Sequence, residues 1–248
     1  MRQEKVLAVI SARGNSKGIP GKNLKPLNGE PLISYMIMAA KQSALIDKVI
    51  VSTEDERIAQ VAREFGAETP FVRPEALSED LVPLVAVTKH AMETMDALGF
   101  RADIIVQLQP PCPFVPTAKI DESILKVRAP GCDSAVSLKR IEHEHPYRAK
   151  EIYGEDNFRS FIKDVDVERF QSRQELPTLY CTSGAIYTRK RHLLENCSGK
   201  DFGLGQVARA VFLHDIEAIN IDRPIDFAFA EFVMRNRDEL IRQGLVSV

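Results

Sequence analysis

Three cations and three glycines crowd residues Ala12 to Leu24, Ala-Arg-Gly-Asn-Ser-Lys-Gly-Ile-Pro-Gly-Lys-Asn-Leu, directly after the apolar run Val6 to Ile10. Gly14, Gly18 and Gly21 let a backbone turn and approach an anion closely, because without a Cβ they tolerate positive φ at little steric cost. Arg13, Lys17 and Lys22 supply charge. The chemistry suggested is phosphate handling by a loop at the end of a buried strand. The competing reading is a basic, solvated surface turn. Spacing excludes two other phosphate motifs. A Walker A loop needs Gly-x-x-x-x-Gly-Lys-Ser/Thr, but here Gly21-Lys22 is followed by Asn23, and Ser16 stands five positions before Gly21. The glycines, four and three apart, also fail to make the dinucleotide-binding Gly-x-Gly-x-x-Gly. Neither an ATPase nor a dehydrogenase is favoured.

The other reactive side chains narrow the classes further. Cys112, Cys132, Cys181 and Cys197 form no Cys-x-x-Cys pair, which fits unpaired thiols in a reducing compartment better than disulfides or a zinc site. His143 and His145 make a His-x-His that reads as a polar loop segment in preference to a metal site. With 248 residues, 44% of them hydrophobic, and a net charge of −2, the chain has the material for a large core and no general nucleic-acid surface. The apolar stretch before Ser11 is too short for a signal-peptide core or a membrane span, so a cytoplasmic protein that engages neither membrane nor nucleic acid is expected.

The elements that must position the loop alternate in type. Val6 to Ile10, Val49 to Thr53, Ile104 to Leu108 and Ser134 to Leu138 read as strands, with strand-like sequence resuming at Ala185 to Thr188 and Ala218 to Ile221. Pro31 to Ser43, Pro83 to Leu98, Thr117 to Arg128 and Pro224 to Arg242 read as helices; another starts at a Thr53 and Glu56 capping box and closes at Gly66. Alternating strand and helix with nearly continuous apolar strands predicts an α/β, three-layer architecture: a mostly parallel sheet covered on both faces. Its ligands should bind outside the carboxyl ends of the strands. The polar stretch from about 142 to 179 breaks the rhythm and is expected to leave the sheet as a lid or a dimerisation arm, since structureless loops of that length are uncommon. A single domain over 1–248 with 142–179 as its projecting arm is the predicted organisation.

Several ordered blocks together carry a resemblance: the opening loop, Val51-Ser-Thr53, Arg73-Pro74 with Leu77-Ser-Glu-Asp80, Gln109-Pro110, Arg173-Gln-Glu-Leu-Pro177, Gly184-Ala-Ile-Tyr187, and Asn220-Ile-Asp222 with Asp226. Over nearly its whole length the chain resembles the CMP-sialic acid synthetases, or acylneuraminate cytidylyltransferases. The resemblance implies a Rossmann-like nucleotidyltransferase fold, a homodimer joined through the arm, and a magnesium-dependent reaction. In that reaction the C2 hydroxyl of an acidic 2-keto-3-deoxy sugar attacks the α-phosphate of CTP and pyrophosphate leaves. Such a transfer needs neutralisation of triphosphate charge more than covalent chemistry, which the cationic loop is suited to provide.

Carried over residue by residue, the resemblance gives Arg13, Lys22 and Asp222 catalytic roles. It places Ala12, Arg13, Gly14, Lys17, Lys22, Asn23, Arg73, Ser78 and Asp80 on the nucleotide. On residue chemistry alone, the favoured reading of the Arg73 turn is a surface Arg-Pro turn before a helix capped by Ser78 or Asp80. Gln109, Arg148, Arg173 and Tyr187 match the sugar side; an arginine suits a carboxylate because its planar fork makes two parallel bonds, while a tyrosine at a strand end is more often packing. Asp222 leads the metal candidates, since magnesium accepts one or two protein carboxylates with phosphate oxygens and water. Asn220 can add a carbonyl oxygen. Asp226 ranks below both, because an acid in the first turn of a helix is favoured by the helix dipole whatever the enzyme does.

Departures from the family pattern cluster on the acceptor side. Gln-Pro-Thr-Ser-Pro becomes Gln109-Pro-Pro-Cys-Pro113, Arg-Pro-Asn-Gly becomes Cys181-Thr-Ser-Gly184, and the first acid of Asp-x-Asp becomes Asn220. They point to a retained CTP reaction with an altered sugar acid, such as legionaminate, pseudaminate or an octulosonate relative. Two other readings stand beside it: a nucleotidyltransferase for a sugar or polyol phosphate, and an inactive nucleotide-binding homologue.

Overall fold

In a computed structural model, which describes residues 4–170, 172–198 and 201–244, the first apolar run becomes β1 (Val6–Ser11), buried along its whole length. A strand packed on both faces must read as a continuous apolar run, and this one does. Asn28 and Gly29, both with positive φ, turn the short hairpin of β2 (Pro26–Leu27) and β3 (Glu30–Pro31) into α1 (Leu32–Lys41), which Pro31 caps. The chain then runs through β4 (Lys48–Ser52), α2 (Glu56–Glu64), α3 (Leu84–Ala97), β5 (Ile104–Leu108), α4 (Thr117–Arg128) and β6 (Ser134–Arg140). After β7 (Lys150–Tyr153) and β8 (Asn157–Ser160) come β9 (Tyr180–Lys190), α5 (Arg191–Glu195), β10 (Ala208–Leu213), α6 (Pro224–Arg235) and α7 (Arg237–Arg242).

The main sheet has the order β10-β6-β9-β5-β1-β4, parallel throughout except for β9, which runs antiparallel to both β5 and β6. Pleating divides its side chains between two cores. Val6, Ala8 and Ile10 of β1 pack with Ile33, Met36 and Ile37 of α1, Ile58 of α2 and Ile120 and Ile124 of α4. Leu7 and Val9 face the other way, onto Val85, Met92 and Met95 of α3 and Leu194 of α5. This is the expected three-layer α/β arrangement. Because β4 and β5 lie on opposite sides of β1, the connections leaving these strands diverge and open a crevice at their carboxyl ends. None of the helices among the described residues is long and apolar enough to cross a membrane.

The structure corrects the sequence reading in four places. Asp55, not Thr53, caps α2: its side chain accepts the Arg57 N–H at 2.9 Å, while Thr53 Oγ1 accepts the Asp55 N–H. Ala218 to Ile221 is not a strand; its N–H groups serve local turns and, at Ile221, the Pro111 carbonyl. The last strand is instead β10, a half-exposed sheet edge whose Arg209 and outward Phe212 blur the apolar pattern. The final helix is broken at Asn236, which leaves helical geometry and donates from Nδ2 to the Phe232 carbonyl. Residues 142–179 do leave the main sheet: β7 and β8 pair only with each other, and short 3-10 turns at Pro146–Arg148, Val167–Arg169 and Arg173–Glu175 flank them.

Candidate active site

The loop after β1 is tied down from three directions. Its first residue, Ala12, donates its N–H to Ser52 at the end of β4. Asn23, which is buried, donates from Nδ2 to the Arg13 carbonyl at 2.9 Å, so its amide braces the loop from within. Ile19 sinks into a small core with Leu27, Leu32, Ile221 and Phe227, which fastens the loop to the segment before α6.

That anchoring brings Lys22 to Asp222. Lys22 Nζ donates to the Ile221 carbonyl at 2.7 Å and to Asp222 Oδ1 at 2.9 Å. The three glycines have different duties. Only Gly21 has positive φ, at 63°, where the chain enters a short 3-10 turn. Gly18 is required by proximity, since a Cβ there would lie 2.3 Å from the Asp222 carbonyl oxygen. Gly14 offers its N–H to Glu54 Oε1 at 2.7 Å.

A cavity of about 460 Å³ opens over this floor. It is lined by Ser11, Arg13, Lys17, Lys22, Asn23, Arg73, Ser78, Asp80, Gln109 and Asp222, so residues scattered over 200 positions meet around one space. Asp80 accepts from Arg13 at 2.6 Å and pairs also with Lys17; hydrogen bonds from Lys17 and Arg13 hold its carboxyl below the usual range. Arg73 is buried, and its guanidinium donates to Glu54 Oε2 at 2.6 Å and to Ser78 Oγ at 3.0 Å. Neither Ser78 nor Asp80 caps the start of α3, which begins at Pro83; Ser78 instead closes a short 3-10 turn at Glu75–Leu77. Gln109 follows β5 directly and lines the cavity, and its Nε2 is buried without a hydrogen-bond partner among the described residues.

The metal candidates divide. Asn220 donates from Nδ2 to Asp222 Oδ2 at 3.0 Å, which leaves its buried Oδ1 with no partner among the described residues. One unspent carbonyl oxygen beside one carboxylate suits a magnesium ion completed by phosphate oxygens and water. Among the described residues no group of three or more His, Cys, Asp or Glu gathers to hold a metal without such help. Asp226 is otherwise engaged: Oδ2 accepts the N–H groups of Asp222 and Arg223, and Oδ1 accepts from the Arg223 guanidinium. It is the capping-box acid of α6, in the first turn of the helix, with its carboxyl held down chiefly by the Arg223 side chain.

Beyond Asp222 a second cavity of about 600 Å³ is lined by Lys139, Arg140, Glu142, His143, Cys181 and Asn220, among others. Arg173 does not line it but pairs at 3.1 Å with Glu142, which does, and Arg140 pairs with the same carboxylate. The structure does not bring Arg148 to either cavity; it sits in the 3-10 turn after His145, whose ring accepts the Tyr147 N–H and contacts the Pro177 carbonyl. Tyr187 is also outside both. It is buried on β9, stacked in parallel with Phe202 at 6.5 Å and covered by the Arg189 guanidinium. Burial pushes the Cys112 thiol up to about 12, so it stays protonated and is no nucleophile.

Glu54 was invisible as a site residue in the sequence. It accepts from Gly14, Arg73 and Ser78 together. Burial opposes its charge, but the Gly14 N–H and the Arg73 guanidinium outweigh burial and hold its carboxyl below the usual range. Its position two residues after β4, at the carboxyl edge of the sheet, was the available signal.

Similarity to known proteins agrees with this geometry. The chain is 32% identical over 243 residues to CMP-N,N'-diacetyllegionaminic acid synthase of Legionella pneumophila, covering 96% of this chain and 99% of that one. It is 31% identical over 241 residues to pseudaminic acid cytidylyltransferase of Campylobacter jejuni, covering 95% and 98%. Among solved structures, CMP:2-keto-3-deoxy-manno-octonic acid synthetase complexed with CTP shares the fold, with a TM-score of 0.69 at 20% identity, over 94% of this chain and 99% of that one. Residues 7–232 match the family described as Cytidylyltransferase. On the family match and the full-length relatives together, the chain belongs to the cytidylyltransferase family.

Proposed function

We propose that the chain transfers CMP from CTP to the C2 hydroxyl of a nonulosonic acid and releases pyrophosphate. The observation that carries the reading is the convergence of Arg13, Lys17, Lys22, Arg73, Gln109 and Asp222 on one cavity that adjoins a second, through Asn220 and Asp222. Names of the full-length relatives supply the acceptor class: legionaminic acid for one and pseudaminic acid for another. Pro111, Cys112 and Cys181, where the acceptor side departs from the sialic acid pattern, favour an acceptor of that bacterial type over N-acetylneuraminate.

In this reading Arg13, Lys17 and Lys22 neutralise the triphosphate and stabilise charge that develops on pyrophosphate as it leaves. Arg73 and Ser78 face the base, Gln109 donates its free N–H to the sugar, and Arg173 meets the sugar carboxylate by exchanging its bond to Glu142. Arg148 and Tyr187 remain candidates for the sugar only through the family pattern. Asp222 and Asn220 would hold magnesium, which when bound supplies charge neutralisation at the phosphates.

Cys112, Cys132 and Cys181, none of them in a disulfide, suit a cytoplasmic enzyme. We also propose a homodimer joined through residues 142–179, because Ile152, Phe158 and Phe161 leave apolar surface exposed on and beside the β7–β8 hairpin. Elution as a monomer at micromolar concentration in gel filtration would contradict it. The transfer itself is read by phosphorus NMR: with CTP, magnesium and legionaminic or pseudaminic acid, the triphosphate resonances should give way to pyrophosphate and one phosphodiester bonded to the sugar C2. An unchanged spectrum with every nonulosonic acid contradicts it.

The fold is shared, at a TM-score of 0.61 and 12% identity, with 4-diphosphocytidyl-2C-methyl-D-erythritol synthase of Anaerococcus prevotii. That likeness concerns the fold alone.

A further inference from the structure

Glu54 sits between the two halves of the nucleotide cavity. One oxygen, Oε1, accepts the Gly14 N–H of the phosphate loop at 2.7 Å; the other, Oε2, accepts from Arg73 at 2.6 Å and Ser78 at 2.9 Å. The pair is well shielded, with the Arg73 side chain only 3% exposed and that of Glu54 23%. The Arg73 N–H in turn donates to the Thr53 carbonyl, so the base-side turn hangs from the same β4 exit that carries Glu54. A carboxylate beside a site for a triphosphate is an electrostatic liability unless its charge is spent, and here two donors and one guanidinium spend it.

We propose that Glu54 is a positioning residue that holds the phosphate loop and the Arg73 turn in one register, so that the triphosphate and the base of a single nucleotide are gripped at a fixed separation. It has a second effect. It holds the Arg73 guanidinium against a shielded carboxylate with the arginine side chain only 3% exposed, whereas Arg13 and Lys17, paired with the more open Asp80, keep 33% and 78% of their side chains exposed, so phosphate is directed to that pair. This inference rests on the CTP reading given under Proposed function.

Glu54→Gln tests it, because the amide keeps the shape but can accept on one side only and turns its NH₂ toward a donor on the other. Glu54→Asp, one methylene shorter, cannot span both sides and provides a second variant should the first fail to fold. Calorimetry on the full chain with CTP and, separately, with pyrophosphate distinguishes register from general damage. The expected result is a CTP Kd about tenfold or more weaker, the loss of one charge-assisted bond, with pyrophosphate Kd within about twofold of the parent. In turnover the change should fall on KM for CTP more than on kcat. CTP binding within about twofold of the parent in both variants would overturn the proposal. Parallel loss of CTP and pyrophosphate would also overturn it, because it would show a merely structural role. If the parent protein binds pyrophosphate but not CTP, the failure lies with the nucleotide assignment beneath the proposal.

Discussion

Lys22 and Asp222, 200 residues apart in sequence, meet with Nζ 2.9 Å from Oδ1, and the same ammonium donates to the Ile221 carbonyl. The contact joins the end of the phosphate loop to the segment that carries the metal candidates. The lysine side chain is 13% exposed and the aspartate 63%, so the cation is held while the carboxylate keeps a free side toward the cavity.

Replacing Lys22 by Met removes a positioned cation from the charge that develops in the transfer. We expect kcat/KM for CTP to fall about 10²–10³-fold, the range for losing one preorganised electrostatic donor. Thermal unfolding should move little, because Asp222 is largely solvated and is not left as a buried, unpaired charge.

Gly18→Ala should be costly for a reason that lies far along the chain. The new Cβ would sit 2.3 Å from the Asp222 carbonyl oxygen, a backbone atom that cannot swing aside. A loss of about 2 kcal/mol in denaturant unfolding, with reduced turnover, is expected. Gly21→Ala meets no nearby atom, yet its positive φ makes a separate and smaller cost, about 1 kcal/mol.

Asp226 and Asn220 should separate in their metal dependence. Asn220→Ala removes the unpartnered Oδ1 and should raise the magnesium concentration needed for half-maximal turnover. Asp226→Asn should not, because its oxygens already cap α6. It should instead weaken the fold by about 1 kcal/mol near neutral pH. The sign follows from the lowered folded-state pKa: the carboxylate stabilises the fold above the unfolded value of about 3.9 and loses that contribution as pH falls through the folded value. Denaturant unfolding between neutral and acid pH should therefore show a shallower acid decline in Asp226→Asn than in the parent.

What could be read from the sequence depended on how local the cause was. β5 and α4 appear at the residues their patterns predict, Ile104–Leu108 and Thr117–Arg128, because periodicity and flanking prolines act within one element. The loop was recognisable from its glycines and charges, but the need for Gly18 was not, since it arises from a backbone 204 positions away. β10 was missed because an edge strand that is half exposed loses the apolar run that marked β1. Glu54 was hidden in the polar run Ser52 to Arg57, where only the fold distinguishes the carboxylate that grips Arg73 from the one that caps α2.

The central claim is that a cationic cavity for CTP adjoins an acceptor cavity for a nonulosonic acid. Pyrophosphate release from CTP and magnesium, measured across legionaminic acid, pseudaminic acid, N-acetylneuraminic acid, an octulosonic acid and a set of sugar and polyol phosphates, tests it most directly. Release is expected with a nonulosonic acid, fastest with legionaminic or pseudaminic acid, and none with the phosphate acceptors. Release with N-acetylneuraminic acid alone would contradict the altered acceptor, and release only with a sugar or polyol phosphate would contradict the account as a whole.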